Sequence, residues 1–146
     1  MNTALRWCLS WLSASILTYV LASVFHSQCV LVGLTQVAID IPMDKWLSMT
    51  LTDLAGLALG YGSVITVTLL LCFGISCVVN NYWRQLPLWS YPALGALAIA
   101  IMLSAMQPLL NVTLIAGARS TLGFLLQCSA GLAGGYVFAK LWIKSD

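Results

Sequence analysis

Four apolar runs divide the chain, separated by shorter polar or mixed stretches: Leu5 to Phe25 (its core beginning at Leu9, past Arg6), Leu54 to Val79, Tyr91 to Leu110 and Thr121 to Trp142. A helix needs about 20 apolar residues to cross a hydrocarbon layer about 30 Å thick, and each run reaches that length. The pattern predicts membrane-spanning helices at approximately 5–25, 54–79, 91–110 and 121–142. Trp7, Trp83, Trp89, Tyr91 and Trp142 fall at the predicted ends, where amphipathic rings favour the headgroup layer.

The connections are unequal. Residues 26–52 form the longest, "HSQCVLVGLTQVAIDIPMDKWLSMTLT". Within it Val30, Leu31, Leu34, Val37, Ala38 and Ile41 recur at helical spacing, and Pro42 is placed to end that helix. The reading is a short amphipathic helix on the outer leaflet or capping the bundle, with a second short piece at Asp44 to Met49. The stretch "LLNVTLIAGARS" before the fourth run is also too apolar for open solution and is expected to fold back on the bundle.

Composition turns these runs into a class. Of 146 residues, 61% are hydrophobic and only 7% charged. Soluble domains keep about a quarter of their residues charged, so this chain has no polar shell and its solvent is expected to be lipid. The fold class that follows is an all-α integral membrane protein, a four-transmembrane-helix bundle in a single domain, 1–146. A net charge of +2 with no basic cluster gives no footprint for nucleic acid.

The basic residues orient the bundle. Arg6, Arg84, Lys140 and Lys144 flank one side, and Lys45 and Arg119 the other. The excess of positive charge places both termini and the 80–90 loop in the cytoplasm, with a bacterial inner (plasma) membrane as the expected location. A cleaved leader is the competing reading of the first run. Its apolar stretch is longer than a usual leader core and no A-x-A site is clear, so the run is expected to be retained.

Every run carries small residues at four-residue intervals, which let helices approach closely where lipid removes the hydrophobic drive. The sets are Ser10, Ala14, Thr18 and Ala22; Gly56 and Gly60; Pro92, Ala96, Ala100 and Ser104; and Gly123, Gly131 and Gly135 with Gln127 in step. Gly56/Gly60 and Gly131/Gly135 are GxxxG pairs and the candidate helix-packing residues. Gly60-Tyr61-Gly62 also matches part of a potassium-channel filter, but Ala58 and Leu59 stand where that filter has Thr and Val. No polar outer turn follows, so the triplet is read as packing.

Polar candidates are few. Asp53 opens the second span and Arg119 the fourth, both on the outer side, which suggests an interhelical ion pair. Gln127 lies inside the fourth span and is expected to hydrogen-bond a neighbouring helix. The single histidine, His26, gives no paired haem ligands, and a zinc site would have to recruit distant aspartates. The five cysteines form no C-x-x-C. G-x-S-x-G, H-E-x-x-H and Walker sequences are absent, and no acidic residue lies in mid-membrane.

The sequence thus leads to a non-enzymatic multi-pass protein without cofactor or metal. Its expected role is a helix-packing accessory or structural subunit, of a homo-oligomer or of a larger membrane complex. The alternative is a small channel or carrier formed by oligomerisation, with Asp53, Arg119, Gln127 and the glycine-rich half of the second span lining a path.

Overall fold

A computed structural model describes residues 3–36, 42–83, 87–110 and 120–142, all but a few of them helical. Helix α1 runs Thr3–Gln36, α2 Met43–Leu57, α3 Ser63–Trp83, α4 Ser90–Leu110 and α5 Thr121–Trp142. A π-helical turn, Ala58–Gly62, joins α2 to α3 without a break: Leu57 before it and Ser63 after it keep right-handed helical backbone. Among the described residues the architecture is therefore four continuous helices. Among the described residues, α1, the α2–α3 rod and α5 are long and apolar enough to cross a membrane, while the apolar stretch Ser90–Met106 of α4 is shorter.

Local chemistry sets the helix starts. Pro42, extended at φ −61° and ψ 149°, precedes α2, and its carbonyl accepts the amides of Lys45 and Trp46. Pro87 plays the same part before α4, its carbonyl accepting Ser90 N–H at 2.9 Å. Ser120 caps α5: its hydroxyl accepts Gly123 N–H at 3.0 Å and its carbonyl accepts Phe124 N–H at 2.9 Å. Inside the helices Ser10, Thr18, Thr50, Thr52, Thr66 and Ser76 return their hydroxyls to the carbonyl four residues back, so these polar groups need no external partner.

The outer segment differs from its expected form. Residues 26–36 are no separate amphipathic helix but the last turns of α1, and Met43–Met49 opens the α2–α3 rod. The reason is phase. Ala22, Ser23, His26, Ser27 and Leu31 are buried and continue the face of Ser10, Ala14 and Thr18, so the chain has cause to keep winding. Residues 37–41, including Ile41, and the 111–119 stretch lie outside the described residues.

Helix α5 is the centre of the bundle, packed most extensively against α1 on one side and α4 on the other. The α2–α3 rod lies antiparallel along α1, joined to it by side-chain hydrogen bonds from one end to the other. Trp7 Nε1 donates to Cys77 Sγ at 3.1 Å, Trp11 Nε1 to Thr66 O at 3.2 Å, and Ser27 Oγ to Asp53 Oδ2 at 2.8 Å. The Tyr19 hydroxyl donates to Leu54 O between the last two.

Candidate functional site

The interior divides into an aromatic end and a polar end. At the first, Phe138 of α5 stacks on Phe73 of α3 with ring centres 4.1 Å apart; Tyr91 and Trp7 complete the cluster at 5.7 and 6.2 Å. Just beyond, the Arg6 guanidinium lies 5.9 Å from the Trp142 ring centre and donates from Nη2 to Trp142 O at 3.4 Å. A cation at the carboxyl end of α5 also suits the helix dipole.

At the polar end Gln127 is the organising side chain, 1% exposed. Its Oε1 accepts the Tyr61 hydroxyl at 2.9 Å, and its Nε2 donates to Ala22 O at 3.0 Å. One amide thus ties α5 to the π-helical turn and to α1. The turn matters here because it carries Tyr61, which heads the buried stripe Tyr61, Ile65, Leu69 and Phe73. Farther from the aromatic end Ser27 holds Asp53, with His26 buried beside them. The hydroxyls of Ser15 and Ser23 are buried with no hydrogen-bond partner among the described residues.

The glycines fall into two groups. A Cβ built on Gly131 would lie 2.6 Å from Ile99 Cγ1 and against the Gly95 carbonyl; one on Gly135 would lie 2.8 Å from Pro92 Cα and against the Tyr91 carbonyl. Between them Gly134 faces α1, against Thr18 Oγ1 and 3.1 Å from Ala14 O. By contrast, a Cβ on Gly56 or Gly60 meets nothing within 4 Å, and both residues are exposed. Of the ion-pair candidates, Asp53 is half-buried on Ser27, and Arg119 lies outside the described residues.

Sequence reasoning passed over three participants. Tyr61 stood only as the middle of Gly-Tyr-Gly, Ser27 as an unremarkable loop residue, and Gly95 one position before the ladder chosen for the third run. The face of α4 toward α5 runs through Tyr91, Gly95 and Ile99, all buried, whereas Ala96 and Ala100 are half-buried and Ser104 is exposed. The four-residue spacing of Tyr91, Gly95 and Ile99, with a glycine between two large side chains, is the signal that marks that face.

Chemical opportunity is sparse. Among the described residues no three His, Cys, Asp or Glu side chains gather as metal ligands. The five cysteines are unpaired with one another. A groove of ≈ 390 Å³ between α3 and α4 is lined mainly by Leu71, Ile75, Leu94, Leu97 and Ile101. Of its polar members, Cys72 Sγ donates to Leu94 O and Ser76 Oγ to Cys72 O, and Thr68 is the third. Comparison with family models, curated proteins and solved structures returns no match for this chain.

Proposed function

We propose that this chain is a multi-pass integral membrane protein whose work is association: a small helix-packing subunit of a homo-oligomer or of a larger membrane complex. The observation that carries the reading is the division of its surface and interior. Outside, Leu71, Ile75, Leu97, Ile101 and Leu125 are each more than half exposed, an apolar girdle suited to lipid tails. Inside, polar side chains join helices to one another: Gln127 ties α5 to Tyr61 and to Ala22, and Ser27 ties α1 to Asp53. The lipid bilayer is its first partner, and neither cofactor nor catalytic residue enters the proposal.

The channel alternative draws less support. Its central lining residue, Gln127, has both ends of its amide engaged within one copy. Orientation follows the basic residues: Arg6 and Lys140 lie toward the aromatic end, which we place in the cytoplasm of a bacterial cell, in the inner membrane.

Purification from native membranes in mild detergent, with mass spectrometry of what accompanies the chain, tests the role. A stoichiometric membrane partner or a defined homo-oligomer is expected. A lone monomer that conducts ions in planar bilayers would overturn it.

A further inference from the structure

Asp53 is a carboxylate within Lys45–Tyr82, the stretch of the α2–α3 rod that is long and apolar enough to cross a membrane. A charge in such a segment is costly unless something neutralises it, so what surrounds Asp53 is informative. One face of α1 meets it. Tyr19, Ser23 and Ser27 follow one another on that face at four-residue steps. The two outer members reach the rod at consecutive residues: Ser27 Oγ donates to Asp53 Oδ2 at 2.8 Å, and the Tyr19 hydroxyl donates to Leu54 O. Between them Ser23 is 0% exposed, and its hydroxyl has no hydrogen-bond partner among the described residues. It lies close to the Tyr19 phenol, outside hydrogen-bond geometry.

The hydrogens of this group are placed, and its lone pairs are not. A hydroxyl carries one hydrogen and two lone pairs. Ser27 gives its hydrogen to Asp53 and Tyr19 gives its own to Leu54, so toward Ser23 both hydroxyls can only accept. Ser23 Oγ, Ser27 Oγ, the Asp53 carboxylate and the Leu54 carbonyl are hard oxygens from two helices, with one formal negative charge among them. That inventory suits a monovalent cation. Calcium takes six to eight oxygens, commonly from more than one carboxylate. Transition metals favour imidazole and thiolate, and among the described residues no three His, Cys, Asp or Glu side chains gather.

We propose that α1 and the rod hold an alkali-metal cation among Ser23 Oγ, Ser27 Oγ, the Asp53 carboxylate and Leu54 O. The ion neutralises Asp53, gives the buried Ser23 oxygen a partner, and clamps the two helices at the end far from the aromatic cluster. Asp53 is half-buried, which leaves the ion a way in. Sequence gave little sign of the site, because its ligands are two serines and a backbone carbonyl around one acidic residue. The site goes beyond the proposed packing role and does not depend on it.

The test measures binding of radioactive sodium to the purified full chain in detergent by scintillation proximity. At about pH 8 an ordinary imidazole is uncharged, so His26, within electrostatic reach of Asp53, adds no rival positive charge. Wild type is expected to bind sodium saturably, a single ion per chain, displaced by unlabelled sodium chloride and not by N-methylglucamine chloride. Ser23→Ala is expected to weaken binding about tenfold or more, because it removes one ligand and leaves the helix intact. Asp53→Asn should abolish it. Ser15→Ala removes the other buried, unpartnered hydroxyl, ~12 Å away along α1, and is expected to bind as wild type does. A thermal scan supplies the second readout. Replacing N-methylglucamine by sodium at constant ionic strength should raise the wild-type midpoint by roughly 3 °C and leave that of Ser23→Ala nearly unmoved. Wild type that binds no sodium overturns the proposal, as does Ser23→Ala binding with undiminished affinity. A wild-type midpoint indifferent to sodium does so too, because a buried water would satisfy Ser23 alike in either salt. None of these outcomes bears on the packing role, which purification with its partners decides separately.

Discussion

Gly131/Gly135 and Gly56/Gly60 share one sequence pattern and occupy opposite surroundings. On α5, the first pair brings the backbone of α4 so near that a methyl group would strike the carbonyls of Gly95 and Tyr91. On the α2–α3 rod, the second pair faces outward over open space. The difference lies in what stands across the gap. Helix α5 meets glycine on α4 and, one residue round at Gly134, alanine and threonine on α1. No described helix of the same chain comes near Gly56 or Gly60. A GxxxG spacing therefore states how close a neighbour is allowed to come, and the rest of the fold decides whether a neighbour arrives.

Substitutions along the two seams can break this contrast. The largest effect is expected at Gly135→Leu, where the new side chain would have to displace the α4 backbone: a loss of ~3 kcal/mol or more, read as collapse of folded yield in a thermal scan in detergent. Phe138→Ala, which empties the space against Phe73 on the same helix, should cost ~3 kcal/mol by the same measurement. Gln127→Leu removes a join to both α1 and the π-turn and should cost ~1 kcal/mol. Adding Tyr61→Phe to it should recover part of that loss, because the stranded hydroxyl goes with its acceptor. The smallest effect belongs to the outward pair: Gly56→Ala should leave the monomer unchanged or up to ~1 kcal/mol more stable through helix propensity. A loss there as large as that at Gly135 would erase the distinction.

The helical class and the number of helices were legible because twenty-residue apolar runs admit few other structures. Helix ends were less so. The polar residues His26, Ser27 and Gln28 read as the start of a loop, yet His26 and Ser27 are buried on the face that continues from Thr18 and Ala22. Polarity alone marks a helix end only when the polar residues leave the buried face, and these do not. The joining of the 44–49 piece to the second run was hidden for a related reason: Asp53 looked like a boundary charge, whereas Ser27 supplies it with a partner along the side of an unbroken helix. At the candidate site, Gln127 announced itself as an amide among apolar residues. Tyr61 did not, because its partner lies 66 positions away and the π-turn that aims it leaves no pattern in the residues themselves.

That wide turn holds one residue more than an ordinary helical turn would, so it absorbs a surplus residue that a regular coil would have to pass on as rotation. Deleting Leu59 from within it would let the coil close to normal pitch with little net rotation, because five residues of π-turn and four of α-helix wind through nearly the same angle. The same deletion made within Ser63–Trp83 would turn everything before it by about 100° and carry Asp53 and Tyr61 off their partners, with every other amino acid still in place. Outside the turn, the length of the chain is under stricter constraint than its spelling.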